Sequence, residues 1–425
     1  MKPTLVAIAI ACLADCVLSN QEASVSRVPG KKRFKLNEIH NKHFKGHNIP
    51  AAFLRTHLKY GSSLPPPLSR ALKINPSLKS KYTSTTLYSN NTAQKGSVKT
   101  HAPPKFDSEF AVPVDIGTPP QTIPLNLDTG TADLWTFSSE TNRQFIHGQA
   151  LYHPENSSTS KLQSHQSWQI EYGDGDSASG IVYKDRVALG TTFVDQQTVQ
   201  AAITVSPHIS NNNFTSGILG MANSRGNAIR PTQGKTYIDN VRAQLEKPVF
   251  TANLRNRGPG NYNFGFINRS EYTGEIQYAA INSSSPFWEV TIGGYTIGKG
   301  GGGDFKKRVW NAIIDTGTSL LLLPDDIVSA YYSQIPDAAF DVKMGVMVFP
   351  CNADIPDFTF GIGPHRGRVP GEYIKYGPID DTYCHGGIQS ASGIPFAVFG
   401  AVALKAQFVV FNYERGIVGF ANKKL

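Results

Sequence analysis

From about Phe106 onward, the chain alternates short apolar runs with Gly, Asn, Asp and Pro. The runs include FAVPVDIG (110–117), IVYKDRVALG (181–190), GEIQYAAI (274–281) and AQFVVFNYERGIVGFA (406–421). Short strands separated by turn residues have this pattern. Helical periodicity is found at 236–245 and at 324–335, where Pro324 and two acidic residues mark a helix start. The pattern therefore predicts an all-β body with few short helices.

The first twenty residues differ, with Lys2, an apolar run from Leu5 to Leu13, and small and polar residues after it. This pattern indicates a secretory signal peptide over residues 1–19, which is too short to span a bilayer stably. No other run is long and apolar enough to cross a membrane, and the C-terminal FANKKL has no hydrophobic tail. We therefore predict a secreted protein without a membrane anchor.

Secretion changes the interpretation of the cysteines and of the glycosylation motifs. Cys12 and Cys16 would leave with the signal peptide, so only Cys351 and Cys384 would remain. In an oxidising compartment these two are expected to pair, and two buried free thiols are the alternative. Five Asn-x-Ser/Thr motifs are candidate glycosylation sites: Asn90, Asn156, Asn213, Asn268 and Asn282.

The formal net charge of +9 is unevenly distributed. Residues 1–99 contain 16 Lys and Arg against three acidic residues, whereas residues 100–425 contain 25 Lys and Arg against 29 acidic residues. A basic leader on a mildly acidic body suits a nucleic-acid-binding arm or a removable prosegment, and secretion favours the prosegment. The Ser/Thr/Asn-rich run at 81–97 indicates a processing zone. We place the prosegment at 20–97, with cleavage between about 90 and 102.

Two copies of Asp-Thr-Gly carry the candidate chemistry. Asp128 lies in LNLDTGTADLW (125–135) and Asp315 in AIIDTGTSLLLL (312–323); ILG (218–220) and VFG (398–400) follow them downstream. One copy alone would most simply be a surface turn. The repeat instead predicts two related lobes that each place an aspartate at the end of a strand. Two neighbouring carboxyl groups share one proton and can act as an acid and a base.

These motifs, with WQIEYGDGDSASG (168–180), PFAVFG (395–400) and the late cysteine pair, resemble the pepsin-type aspartic proteases of peptidase family A1. The nearest likeness is to the secreted fungal enzymes, and it covers essentially the whole chain. The resemblance implies a bilobal β fold, with lobes at 98–283 and 284–425 around a cleft. It also implies an endopeptidase without metal or cofactor, in which Asp128 and Asp315 activate a water at acid pH and hydrophobic residues flank the cleaved bond.

The resemblance also implies supporting residues around the two aspartates. Gly130 and Gly317 would let the backbone approach the carboxyl groups closely. Thr131 and Thr318 would donate hydroxyl hydrogen bonds to the outer carboxylate oxygens. Many relatives carry serine at the position of Thr131, and that exchange keeps the hydroxyl.

A substrate-covering flap is implied between the first aspartate and its downstream glycine. Its expected members are Tyr172, Gly173 and Asp174, with Trp135 hydrogen-bonded to Tyr172 and with Trp135 and Ile313 in the pocket. Asp174 implies that lysine is accepted at P1 beside hydrophobic residues. Asp176 departs from the usual serine and adds a second negative charge, which leaves the P1 preference open.

The stretch HLKYGSS (57–63) resembles the part of such prosegments that blocks the active site. Lys59 would pair with both aspartates and Tyr60 would fill a pocket, so the prosegment would be an intramolecular inhibitor. The alternative is that Lys59 is one basic residue among many. Acid would protonate carboxylates of the body and weaken their pairing with the basic leader.

Other functions fit the sequence less well. GGYTIGKGG (293–301) lacks the Ser or Thr of a phosphate-binding loop, and no His-Glu-x-x-His zinc motif is present. The remaining rival is a catalytically inactive protease fold that serves as a binding protein or inhibitor. Such relatives usually lose an aspartate, the following glycine or the flap tyrosine, and all are present here. We therefore expect a monomeric, pepstatin-sensitive enzyme that acts on proteins or peptides and has no nucleic-acid partner.

Overall fold

The computed structural model of the chain describes residues 30–40, 49–61, 64–75, 110–171, 177–211, 214–256 and 258–425. The predicted signal peptide and the predicted cleavage region lie outside the described residues. The same holds for the predicted flap residues Tyr172, Gly173 and Asp174, and for the motifs at Asn90 and Asn213. In the part that is described, no helix has the length and apolar character needed to cross a membrane.

The described residues form four β-sheets, which confirms the all-β prediction. The sheet of the first half has nine strands: β2 (Ile39–His40), β3 (Phe110–Ile116), β4 (Gln121–Asp128), β5 (Leu134–Thr136), β6 (Lys161–Glu171), β7 (Ser177–Leu189), β8 (Thr192–Val205), β9 (Gly217–Gly220) and β10 (Ile229–Arg230). The main sheet of the second half has seven: β14 (Glu289–Ile297), β15 (Lys306–Ile314), β16 (Leu321–Leu323), β19 (Phe358–Ile362), β20 (His365–Val369), β23 (Ile388–Ser390) and β24 (Ala397–Phe399). A smaller sheet contains β17 (Ala339–Asp341), β18 (Val346–Pro350), β21 (Lys375–Pro378) and β22 (Tyr383–Gly386).

A six-stranded sheet joins the two halves and the leader. Its strands are β1 (Phe34–Asn37), β11 (Val249–Arg255), β12 (Gly258–Phe264), β13 (Thr273–Ala280), β25 (Gln407–Asn412) and β26 (Ile417–Asn422), in the order β1-β12-β11-β25-β26-β13. The last two strands of the chain thus pair with strands of the first half, and the leader strand β1 lies at the edge. The lobe boundary at 283/284 stays a prediction, and this sheet crosses it.

The repeat of the two motifs is present in the strand topology. In strand β4 the buried Ile123, Leu125 and Leu127 alternate with less buried residues, and the strand ends at Asp128. It pairs in parallel with β9, and β9 pairs in antiparallel with β5. In the second half, β15 pairs in parallel with β24, and β24 pairs in antiparallel with β16. Each half therefore builds the same three-strand arrangement around its aspartate.

Both predicted helices of the body are confirmed, and helices of the leader were missed. The described helices are α1 (Ile49–Tyr60), α2 (Pro66–Ile74), α3 (Pro207–Ser210), α4 (Tyr237–Val241), α5 (Asp325–Tyr332), α6 (Gly371–Ile374) and α7 (Ala401–Leu404). Helix α1 buries Phe53, Leu54 and Leu58 against the body. Packing against the body supplies most of the stability of a helix this short, and the leader sequence alone does not show that partner.

A disulfide joins Cys351 and Cys384, which confirms the predicted pair. Cys351 follows β18 and Cys384 lies in β22, and their Cα atoms are 4.9 Å apart. These strands are neighbours in the small sheet. The bond closes a loop between residues 33 positions apart, and it restricts the conformations of this segment in the unfolded chain.

Candidate active site

The two aspartates meet where the central strands of the two halves end. Asp128 is the last residue of β4, and Asp315 directly follows β15. Their exposed fractions are 3% and 0%. Because they lie so close, a negative charge on Asp315 raises the pKa of Asp128.

The second residue of each motif ties the two loops together. Thr129 N–H donates to Thr316 Oγ1 at 3.1 Å, and Thr316 N–H donates to Thr129 Oγ1 at 3.0 Å. Each hydroxyl also donates to a backbone carbonyl of the other half, Thr129 to Ile314 and Thr316 to Leu127, both at 2.7 Å. This symmetric set of four bonds holds the aspartates at a fixed separation.

The glycines of the motifs are packed against the opposite carboxyl group. Gly130 N–H donates to Asp128 Oδ1 at 2.7 Å, and Gly317 N–H donates to Asp315 Oδ1 at 2.8 Å. A Cβ atom on Gly130 would lie 2.6 Å from Asp315 Cγ, and one on Gly317 would lie 2.3 Å from Asp128 Cγ. Any side chain at either position would push the two carboxyl groups apart.

Two leader residues at the end of α1 occupy this centre. Lys59 Nζ donates to both oxygens of Asp128 at 2.9 Å and to Asp315 Oδ2 at 3.1 Å. Tyr60 Oη donates to Asp315 Oδ2 at 2.6 Å and lies 3.4 Å from the Gly130 carbonyl. The leader thus places an ammonium group and a phenol where the carboxyl pair would otherwise meet another molecule.

The electrostatics of the pair are unequal while the leader is in place. Burial raises the pKa of Asp128 to about 7, with Asp315 acting in the same direction and Lys59 against both. Burial also acts to raise the pKa of Asp315, but Lys59 and the hydrogen bonds from Asp128, Thr318 and Tyr60 outweigh it and hold that pKa at about 2. The carboxylates more than offset the effect of burial on Lys59, so its pKa is raised above the ordinary value. While Lys59 and Tyr60 are docked, the two carboxyl groups are therefore inequivalent, with the pKa of Asp128 raised and that of Asp315 lowered.

Comparison with known proteins places this geometry in a family. The sequence profile described as Eukaryotic aspartyl protease matches residues 109–423. The chain is 44% identical to endothiapepsin of Cryphonectria parasitica over 398 residues, which cover 93% of this chain and 91% of that protein. The chain belongs to the eukaryotic aspartyl proteases. It is also 45% identical to penicillopepsin-1 of Talaromyces stipitatus over 329 residues, covering 77% and 82% of the two chains. With aspergillopepsin-1 of Aspergillus fumigatus it shares 38% identity over 410 residues, covering 95% and 96%.

The two support threonines of this aspartyl protease do not behave alike. Thr318 Oγ1 donates to Asp315 Oδ2 at 2.5 Å. With the leader in place, Thr131 Oγ1 lies 3.4 Å from Asp133 Oδ2, and its hydrogen bond to Asp128 stays a prediction.

The pocket assignments stay predictions, because the leader covers the two aspartates. With the leader in place, Ile313 is 1% exposed and lies in β15, between β14 and β24. Trp135 is 3% exposed and packs against Phe137 and Trp168 at centroid distances of 5.9 and 6.1 Å. Its Nε1 is buried and has no hydrogen-bond partner among the residues that the structure describes.

Of the described sequon asparagines, Asn156 ends a short 3-10 helix, and Asn268 and Asn282 lie in irregular segments of the body. Asn156 and Asn282 are exposed, and Asn268 is half-buried. Asn268 Nδ2 donates to Glu271 Oε1 at 3.1 Å, and Asn282 Nδ2 donates to Glu289 Oε1 at 3.2 Å. Attachment of a glycan would replace a hydrogen of each of these amide groups.

Several residues of the site were missed from the sequence. Thr129 and Thr316 were signalled by their repetition within the motif, whereas Asp133 and the leader residue His57 carried no such signal. His57 lies on α1 and is 1% exposed, with Nδ1 3.1 Å from the Phe53 carbonyl and Nε2 3.0 Å from the Ser392 carbonyl. Neutral imidazole can donate to only one of these carbonyls.

The arrangement is suited to acid and base catalysis without a covalent intermediate. Two carboxyl groups this close cannot both ionise easily and tend to share one proton, and a backbone N–H donates to each of them. Among the described residues, no group of three or more His, Cys, Asp or Glu side chains is placed to hold a metal ion. The chain is an aspartic endopeptidase by family, and its own carboxyl pair provides the groups that this chemistry needs.

Proposed function

We propose that the chain is a secreted aspartic endopeptidase made as a zymogen, that Asp128 and Asp315 are its catalytic residues, and that acid releases the leader. The observation that carries this proposal is the position of Lys59 Nζ, within 3.1 Å of both carboxyl groups. A cation at this point neutralises the pair and fills the space where a water would have to be activated. The leader is therefore an inhibitor built into the chain.

Once the leader has left, the two carboxyl groups divide the reaction between them. The ionised carboxylate takes a proton from a water, and the oxygen of that water attacks the scissile carbonyl carbon. The protonated carboxyl donates its proton to the carbonyl oxygen, which gives a neutral tetrahedral diol. Collapse of the diol breaks the C–N bond: the nitrogen receives the proton that the first carboxylate took from the water, and a diol hydroxyl gives its proton to the other carboxylate, which restores the starting pair. The rigid Thr129 and Thr316 bonds keep both groups in place throughout.

The surroundings of Tyr60 support a preference for hydrophobic side chains. Its ring packs edge-on against Phe287 at 5.3 Å and against Phe396 at 5.6 Å, and these two phenylalanines contact each other at 5.6 Å. An aromatic or large apolar substrate residue can take the place of Tyr60 with the same edge-to-face contacts. We further propose that Tyr172, Gly173 and Asp174 form the flap, and that Tyr172 accepts from Trp135 Nε1 and Asp174 admits lysine at P1.

The test uses full-length chain from culture fluid, acidified and incubated with denatured haemoglobin with and without pepstatin. We expect acid-dependent, pepstatin-sensitive cleavage, and a mature N-terminus between about 90 and 102 by Edman sequencing. The Asp128→Asn variant should lose activity by several orders of magnitude, because one member of the acid and base pair is gone. The matched control is Asp195→Asn, which removes an exposed carboxylate paired with Arg186 on the surface.

Two results would contradict the proposal. Correctly processed wild-type protein without acid activity would favour the inactive binding protein or inhibitor. Full activity of Asp128→Asn would show that another group carries the chemistry. Asp195→Asn should have the same activity as the wild type. A loss of activity in both variants would therefore indicate a general loss of folding.

A further inference from the structure

The segment at 282–288 joins β13 to β14 and carries one wall of the hydrophobic pocket that Tyr60 occupies. Phe287 lies in this segment, and its ring contacts the rings of Tyr60 and Phe396. The segment itself has neither helix nor strand structure. The position of the pocket phenylalanine therefore depends on other contacts that hold its backbone.

A loop of the first half holds this segment. The loop at 221–226 follows β9 directly. Asn223 N–H donates to the Pro286 carbonyl at 3.0 Å, and Trp288 Nε1 donates to the Met221 carbonyl at 3.0 Å. These two bonds lie on either side of the pocket phenylalanine, so the loop determines where that residue sits.

Arg225 adds a side chain of the loop to these contacts. Its Nη2 donates to the carbonyls of Ser283 and Ser285, the second at 3.1 Å. The backbone N–H and Nε of Arg225 both donate to Asn223 Oδ1, at 3.0 and 3.3 Å, so the guanidinium is oriented by its own loop. Ser285 is 8% exposed, and its hydroxyl accepts from Phe287 N–H at 3.2 Å. One serine thus joins the arginine to the pocket wall.

The effect of Arg225 is expected to be local. The residue is exposed, and polar contacts at the surface contribute little to the stability of a whole protein. A planar guanidinium that binds two carbonyls of the same turn nevertheless leaves that turn few alternative conformations. The turn ends at the pocket phenylalanine, so its order is passed on to the pocket.

We propose that Arg225 is a positioning residue that fixes Phe287 and thereby sets the selectivity of the pocket that Tyr60 fills in the uncleaved chain. The inference rests on the proposed endopeptidase function and on the proposed role of this pocket. Edge-to-face contacts between rings depend on the position and tilt of both rings, whereas an aliphatic side chain packs with less directional preference. Loss of the guanidinium should therefore lower the preference for aromatic residues more than it lowers cleavage as a whole.

The test measures kcat/KM of the activated enzyme on peptides that carry phenylalanine or leucine at each position around the cleaved bond. Phe287→Ala identifies the substrate position that enters this pocket. At that position, Arg225→Met should lower the ratio of phenylalanine to leucine about fivefold, which is within the range for one edge-to-face contact. The ratios at the other positions should stay unchanged.

Two further variants show which property of the arginine matters. Arg225→Lys should give an intermediate ratio, because an ammonium group on a flexible stem can still donate to one of the carbonyls. The matched control is Arg415→Met, which removes an exposed arginine from the turn between β25 and β26 and should have the wild-type ratio.

A double-mutant comparison separates positioning of the pocket from a general structural role. In a Phe287→Ala background, Arg225→Met should not change the ratio further, and an undiminished effect there would overturn the proposal. An unchanged ratio in Arg225→Met, or an equal loss of kcat/KM at every substrate position, would also overturn it. Wild-type enzyme that cleaves no peptide would instead refute the proposed function, and an active Phe287→Ala with the wild-type ratio at every position would refute the pocket and this inference together.

Discussion

Replacing Lys59 with methionine is the most direct test of the leader as an inhibitor. Methionine keeps most of the stem length and removes the ammonium group, together with the three contacts at 2.9, 2.9 and 3.1 Å. What remains is a docked leader that covers two buried carboxyl groups without their counter-ion. Loss of one partner from a buried ion pair costs about 3 to 5 kcal/mol. The lower end applies here, because the carboxyl pair can take up a proton in response.

This free energy translates into a measurable affinity. In full-length, uncleaved chain, pepstatin must displace the leader, so its apparent Kd is the intrinsic value divided by the fraction of open molecules. A loss of about 3 kcal/mol in docking raises that fraction about 100-fold. We therefore expect uncleaved Lys59→Met to bind labelled pepstatin about 100-fold more tightly than uncleaved wild type at pH 6.5, as measured by fluorescence anisotropy.

The matched control is Lys73→Met, which removes an exposed lysine at the end of α2. It should bind pepstatin like the wild type, because the leader stays docked. Gel analysis after each titration verifies that the chain is still uncleaved. If Lys59→Met and wild type bind pepstatin within about twofold of each other, the leader does not depend on this ion pair, and the reasoning from burial is wrong.

Two further predictions concern the closeness of the carboxyl pair and the pH dependence of docking. Gly317→Ala should lower kcat/KM at least about 100-fold, because the new Cβ would lie 2.3 Å from Asp128 Cγ and displace that carboxyl group. The control is Gly258→Ala, whose new Cβ would meet no atom within 4 Å, and equal kcat/KM values for the two variants would contradict the packing argument. Burial lowers the pKa of His57 below 6.5, so the docked leader binds fewer protons than the released one and docking weakens as pH falls through 6.5. Below pH 6.5, the affinity of the uncleaved chain for pepstatin should therefore change less with pH in His57→Gln than in the wild type. The surface variant His153→Gln should keep the wild-type slope, and an unchanged slope in His57→Gln would exclude this histidine as a pH sensor.

Much of the fold could be predicted from local pattern, because strand alternation and turn residues act over a few positions. The strands of the body and the helices at 237–241 and 325–332 followed the hydrophobic periodicity. The helices of the leader did not, since α1 is stabilised by Phe53, Leu54 and Leu58 packing against a body far away in sequence. The leader strand β1 is likewise specified by its partner β12, more than 200 residues later.

The sequence by itself determined that the chain carries two equivalent Asp-Thr-Gly half-sites, since this depends only on residue identity and order. Tertiary structure alone decided how the half-sites differ. Beside the first aspartate, the buried Asp133 accepts from Asn227 and Ala228, which the fold brings from 94 and 95 positions away. Burial raises the pKa of Asp128, whereas at Asp315 the effect of burial is outweighed by Lys59 and by donors on other segments, so its pKa is lowered. Burial and donors from distant segments exist only in the folded chain, so the order of residues alone could not predict them.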